Sequence, residues 1–148
     1  FDQNKEVLKV VQNTINYEDV KRFRLKEVWY FDEAQSRMDV RILGIAPLWD
    51  VKDDNGNFIR EQPLFWVYYP ECRKVLAKEQ CFNPQNDAAP MTWEDWMEMR
   101  VFSSYIYKAS NVRDERIQDY ISSELDRLLE ADKIRQELFN LEHDFWSY

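Results

Sequence analysis

Glycine is nearly missing from this chain: Gly44 and Gly56 are the only two in 148 residues. Loops that cradle dinucleotides or nucleoside triphosphates need closely spaced glycines for close backbone approach, so both loop types are excluded. Histidine occurs once, at His143, and cysteine twice, at Cys72 and Cys81. Two cysteines so placed do not make a zinc pattern, which needs four ligands at tight spacings. Two free, partly buried thiols are the default; a disulfide would need Cys81 to fold back against the helix that carries Cys72. No apolar run approaches the ~20 residues of a membrane span, so direct membrane insertion is not expected. The first residues do not read as a signal peptide. The chain starts at Phe1 without an initiator Met, and a processed product or excised piece is expected.

Positive charge is also in deficit: 20 Lys and Arg stand against 28 Asp and Glu, for a net charge of -8. An acidic surface repels phosphate backbones, which disfavours nucleic-acid partners. One stretch runs the other way. In "VKRFRLK", Arg22, Arg24 and Lys26 share one face of a strand. They form either a solvated face or a docking stripe for an acidic partner.

Apolar side chains are plentiful: 45% of residues are hydrophobic and 16% aromatic, which excludes a disordered chain. The length suits one domain. Residues 1–18 read as an N-terminal segment continuing from an upstream region, and 19–148 as a single α+β domain. "KEVLKVVQ" at Lys5–Gln12 leans toward a strand through its valines. "NYED" reads as a capped turn with Asn16 as the cap.

"RFRLKEVWYFD" is a strand. Phe23, Leu25, Trp29 and Phe31 lie on one face with Glu27 interrupting them; Arg22, Arg24, Lys26, Val28 and Tyr30 lie on the other. A second strand starts at "SRMDV" and turns apolar on both faces from Ile42 to Leu48, which requires cover on both sides. Asn55-Gly56 supplies the positive φ angles of a hairpin, and a third strand runs on through "PLFWVYY". The expected fold is an antiparallel β-meander of three to four strands packed with C-terminal α-helices.

Pro70 suits the first turn of a helix. "TWED" resembles a capping box, with Thr92 as cap and Asp95 reaching back. The helix it opens carries two apolar stripes: Trp93, Trp96, Met97, Val101 and Tyr105, then Met99, Phe102 and Ile106. Trp93, Trp96, Met97 and Val101 are expected to be mostly buried. Arg100 falls inside the first stripe and needs an acidic partner; Glu27, which also interrupts an apolar face, is the candidate. Asn111 is a candidate cap for the next helix, whose core face would hold Ile117, Tyr120, Ile121, Leu125, Leu128 and Leu129. The spacing then changes phase, to Ile134, Leu138, Leu141 and Phe145, and predicts a bend or break between Glu130 and Lys133.

A search for chemistry finds little. "LEHDFWSY" places His143 between two acids, but adjacent helical residues point in different directions. Cys72 has no histidine near it in sequence, and no serine has a nucleophile-elbow context. The carboxylates sit where helix N-termini favour negative charge. No catalytic, cofactor or metal constellation emerges. A hydrolase using His143 or Cys72 stays open as the weakest reading. The aromatic strand "PLFWVYY" offers another alternative, a peptide- or carbohydrate-binding groove lined by Trp66 and Tyr68.

"RLKEVWYFDEAQSRMDVRILGIAPL", "PLFWVYYPECRKVLAK", "FSSYIYKASNVRDERIQDY" and "LEHDFWSY" together resemble the GldN/PorN family of gliding-motility and type IX secretion proteins of Bacteroidetes. The resemblance covers Asp19 to Tyr148; the first eighteen residues match poorly, and Cys72 stands where a small residue is expected. It implies a periplasmic structural component without catalytic residues or cofactor. The partners it implies are a GldK/PorK-like outer-membrane lipoprotein, with which the chain forms a ring, and a GldM/PorM-like periplasm-spanning protein. It supplies no residue-level map of the contacts. The candidate partner-binding residues, Arg22, Arg24, Lys26, Val28 and Tyr30, come from the strand pattern alone.

Overall fold

The computed structural model describes residues 17–53, 55–83 and 89–145, the last four without their side chains. The fold is α+β. After a short 3-10 turn at Tyr17–Asp19 come β1 (Val20–Asp32), β2 (Arg37–Lys52), β3 (Phe58–Pro63) and β4 (Val67–Tyr68). All pairings are antiparallel, in the order β1-β2-β3, with β4 also on β2. Helix α1 (Tyr69–Leu76) follows directly. A two-stranded pair, β5 (Gln80–Cys81) with β6 (Met91–Thr92), leads into α2 (Trp93–Glu98); α3 (Ile117–Tyr120) and α4 (Glu124–Phe145) complete the chain. The expected strand at Lys5–Gln12 and the cap at Asn16 lie outside the described residues.

The register of β1 on β2 shifts twice, between Val20 and Arg22 and again between Lys26 and Glu27. Lys26 pairs with Gly44 and Glu27 with Ile42, so Leu43 is an extra residue on β2. Such a bulge changes which side chains share a face. Here it puts Ile42 and Ile45 on the same face, with Leu25 and Glu27 of β1. That face carries the core: Ile42, Tyr69 and Met97, with Leu25, Ile45, Leu76, Trp96 and Phe102 packed against them. Helices α1 and α2 therefore cover one side of the sheet. The second face holds Arg22, Arg24, Lys26, Val28 and Tyr30 from β1, and Gly44, Ala46 and Leu48 from β2.

The β2–β3 connection differs from the expected hairpin. Only Gly56 takes a positive φ among its described residues, at 83°. The turn is organised instead by Asp53, whose carboxylate accepts from the backbone N–H of Asn55 and Asn57 at 3.0 and 2.7 Å. The side-chain hydrogen bond from Asn57 is the largest of the effects that hold the Asp53 carboxyl below its usual range. The third strand is also interrupted: β3 ends at Pro63, where the backbone leaves the ladder before β4 resumes it.

Helix α2 starts as the sequence implies. The Thr92 hydroxyl accepts from the Asp95 N–H at 3.1 Å, and the Asp95 carboxylate accepts from the Thr92 N–H at 3.0 Å. It ends much earlier than expected. Arg100 adopts φ 53°, its N–H bonds to the Met97 carbonyl at 3.2 Å, and the Val101 N–H bonds to the Trp96 carbonyl at 3.1 Å. These two bonds are the Schellman stop, with an arginine at the position glycine usually holds. The chain beyond runs as irregular backbone, so the second stripe never forms. Met97 is buried, Trp96 and Val101 are half-buried, and Trp93 is exposed.

The C-terminal region is corrected in three respects. Asn111 does not cap a helix; its side chain ties a loop, accepting from the Glu115 N–H at 2.9 Å and donating to the Glu115 and Ala109 carbonyls. Asp119 caps α3 instead, its carboxylate accepting from the Arg116 N–H at 2.8 Å. The break falls between α3 and α4, and α4 runs unbroken through Glu130 and Lys133. Tyr120, Leu125, Leu128 and Leu129, expected in the core, are exposed; Ile117 and Ala131 are buried.

Candidate docking surface

Arg100 and Glu27 meet across the helix-covered face. Arg100 Nη1 lies 2.7 Å from Glu27 Oε1, and Nη2 lies 3.4 Å from Oε2. The guanidinium carbon sits 5.1 Å from the Phe102 ring and 5.9 Å from that of Trp29. The two side chains keep 31% and 16% of their exposure. The pair is partly solvated, so the 3–5 kcal/mol scale of a fully buried pair is too large for it. Its position explains the helix stop: the left-handed backbone at Arg100 turns the side chain back onto β1.

The second face is divided between internal and free groups. Arg22 is ion-paired with Glu61 of β3. Arg24 lies over the Tyr107 ring at 4.2 Å, so the segment after α2 crosses to this face. Tyr30 donates its hydroxyl to Asp39 at 3.3 Å, and Arg41 lies 5.6 Å from its ring. Lys26 and Val28 are exposed. The five residues do share a face, but Arg22, Arg24 and Tyr30 already have partners within the chain.

Residues that the strand pattern did not include complete the open part. Gly44 pairs with Lys26 on one side and Tyr68 on the other, so the three form a row across the sheet about 10 Å wide. Gly44 has no side chain to fill the middle, and the Trp66 ring does so. A Cβ there would come 3.3 Å from Trp66 Cε3. Trp66 stays 52% exposed and Tyr68 57%. The result is an aromatic shelf beside a lysine. The signal in the sequence was the alternation of Trp66 and Tyr68 about Val67, together with a glycine in the facing strand.

Other clusters have structural roles. Arg73 on α1 donates through Nε to Glu94 on α2 at 2.9 Å, and the Tyr69 hydroxyl reaches Glu98 at 3.5 Å. Burial first, then the nearby carboxylates, push the Tyr69 hydroxyl up to about 12. This cluster clasps α1 to α2. Both cysteines are free and half-buried, and Cys81 donates its thiol to the Thr92 carbonyl at 3.4 Å. The side chain of His143 lies outside the described residues. No group of metal-ligating side chains occurs among the described residues, and none of their helices is long and apolar enough to cross a membrane. An open hollow of about 410 Å³ lies between the 109–117 loop and α4, lined by Asn111, Val112, Glu115, Ile117, Tyr120 and Ile134. Its asparagine is already engaged in the loop.

No curated protein matches the chain. The family model described as Gliding motility associated protein GldN matches residues 1–147, including the N-terminal segment that the quoted blocks left out. With nearly its whole length matched, the chain belongs to the GldN family.

Proposed function

We propose that the chain is a non-enzymatic assembly subunit of the type IX protein secretion and gliding-motility machinery. In this reading it works in the periplasm, associated with the outer membrane through a GldK/PorK-like lipoprotein. It self-associates within a ring and links to a GldM/PorM-like periplasm-spanning protein. Membership of the GldN family supports the place in gliding. The single observation that carries the assembly role is the open shelf of Trp66 and Tyr68 beside Lys26 and Val28. Large exposed apolar patches mark interaction sites, and aromatic residues with arginine are enriched in interfaces. Arg22, Arg24, Lys26, Val28 and Tyr30 belong to this docking face, with Arg24 and Tyr30 bracing it from within.

Among the described residues, large exposed apolar side chains outnumber buried apolar ones by more than two to one. That balance favours a subunit whose surface is completed by neighbours. The basic groups would steer association with an acidic partner and make it sensitive to salt.

Lys26→Glu combined with Trp66→Ala tests the face. Reversing Arg24 would also break its stacking on Tyr107, and reversing Arg22 would set two carboxylates together, so both confuse folding with binding. The double variant should fold normally, bind the lipoprotein at least about tenfold more weakly, and lose part of its salt dependence. Unchanged affinity and unchanged salt dependence would remove this face from the account.

A further inference from the structure

Helix α4 exposes a stripe that the other described residues leave uncovered. Leu125, Leu128, Leu129 and Phe139 are 66, 52, 60 and 69% exposed. At 3.6 residues per turn they lie on one side of the helix, together with Asp132 and Arg135. The opposite side carries buried Ala131 and half-buried Ile134 and Leu138, while Leu141, expected on the same face, is exposed. The helix therefore faces the rest of the chain along one side and presents a second apolar stripe outward, about 21 Å long.

The order along that stripe is self-complementary. It runs leucines, then Asp132, then Arg135, then Phe139. Laid antiparallel on a copy of itself about an axis between residues 133 and 134, it sets Leu128 opposite Phe139. It also sets Asp132 opposite Arg135. A two-fold axis repeats both contacts, as an isologous interface requires. Within one chain, Arg135 Nη2 already lies 2.8 Å from Asp132 Oδ1. The acid and the base are thus held side by side on the exposed surface.

We infer that the outward stripe of α4 is a self-association surface on which two copies of this chain pair antiparallel, Leu128 against Phe139 and Asp132 against Arg135. The inference deepens the proposed self-assembly and names a contact for it. One helix pair buries little area, so the contact belongs to the small, transient class below about 1,200 Å². The dimer is reversible and serves to join copies that other contacts also hold.

The test is sedimentation of the chain with reversed charges. At about 100 µM the unchanged chain should show a reversible dimer, as a small interface implies. Asp132→Arg alone and Arg135→Asp alone should each be monomeric, because each sets like charges across the axis. Mixing these two variants should restore the dimer, since each then meets its opposite. Leu128→Glu, on the apolar contact, should be monomeric too. Circular dichroism confirms that α4 survives in each variant. An unchanged chain that stays monomeric, or a mixture that fails to associate, overturns the pairing. So does a dimer that Leu128→Glu leaves intact. None of these outcomes touches lipoprotein binding by the sheet face, so failure here is distinguishable from failure of the proposed function.

Discussion

Replacing Arg100 separates two effects that the structure joins at one residue. Its backbone sits at φ 53°, and its side chain reaches Glu27 at 2.7 Å. A left-handed conformation costs an L-residue about 1–2 kcal/mol, and glycine escapes that cost. A charge-assisted hydrogen bond contributes about 1.5–3 kcal/mol when well shielded, and an exposed ion pair about 0.2–1 kcal/mol. At 31% and 16% exposure the pair stands between these limits, so its coupling should be about 1–2 kcal/mol. Arg100→Ala removes the pair and keeps the backbone cost. Arg100→Gly removes both. Urea unfolding should therefore find Arg100→Gly about 1 kcal/mol more stable than Arg100→Ala. A double-mutant cycle of Glu27→Gln with Arg100→Gly should return the coupling directly. If glycine proves as damaging as alanine, the left-handed backbone at Arg100 carries no cost; if the coupling falls below about 0.5 kcal/mol, the pair does not hold the helix stop in place.

Two further outcomes are expected. Tyr69 should ionise late: its hydroxyl is pushed up to about 12 in the folded chain by burial and by Glu98 and Glu94, against about 10 unfolded. The folded state holds that proton more tightly, so the stabilisation is complete below about pH 10 and is lost as pH rises toward 12. An ultraviolet titration of Tyr69→Phe should lose a step from the high end of the curve. Thr92→Ala removes the hydroxyl that caps α2 and should lower stability by about 1 kcal/mol, read as a shift in urea midpoint at constant slope.

The meander was legible because its strands alternate and its turns carry their own chemistry. The face that each residue serves was only partly so. Leu43 is apolar like its neighbours, and nothing in "RILGIA" marks it as the bulge that moves Ile42 to the core side. The end of α2 was hidden for a different reason. Arginine is an unusual Schellman residue, and it is favoured here by Glu27, which lies far away in the chain. Periodicity in α4 identified which residues share a side, but no local signal says which side the rest of the fold covers. The proposed docking face shows the same limit. Arg22, Arg24 and Lys26 were visible as a stripe, whereas the stacking of Arg24 on Tyr107 depends on a loop crossing the sheet. Trp66 and Tyr68 were recognised as aromatic neighbours before their place beside Lys26 could be known, because only strand pairing through Gly44 brings them together.

The most direct measurement is gliding in host cells whose own copy is deleted and replaced. Two variants are compared: Cys72→Ala with His143→Ala, and Lys26→Glu with Trp66→Ala. Motility and the size of the proposed complex with the lipoprotein are read in both. A docking subunit requires the first variant to move normally and the second to lose motility together with the complex. A first variant that assembles fully yet cannot glide would contradict the account and point to catalysis instead.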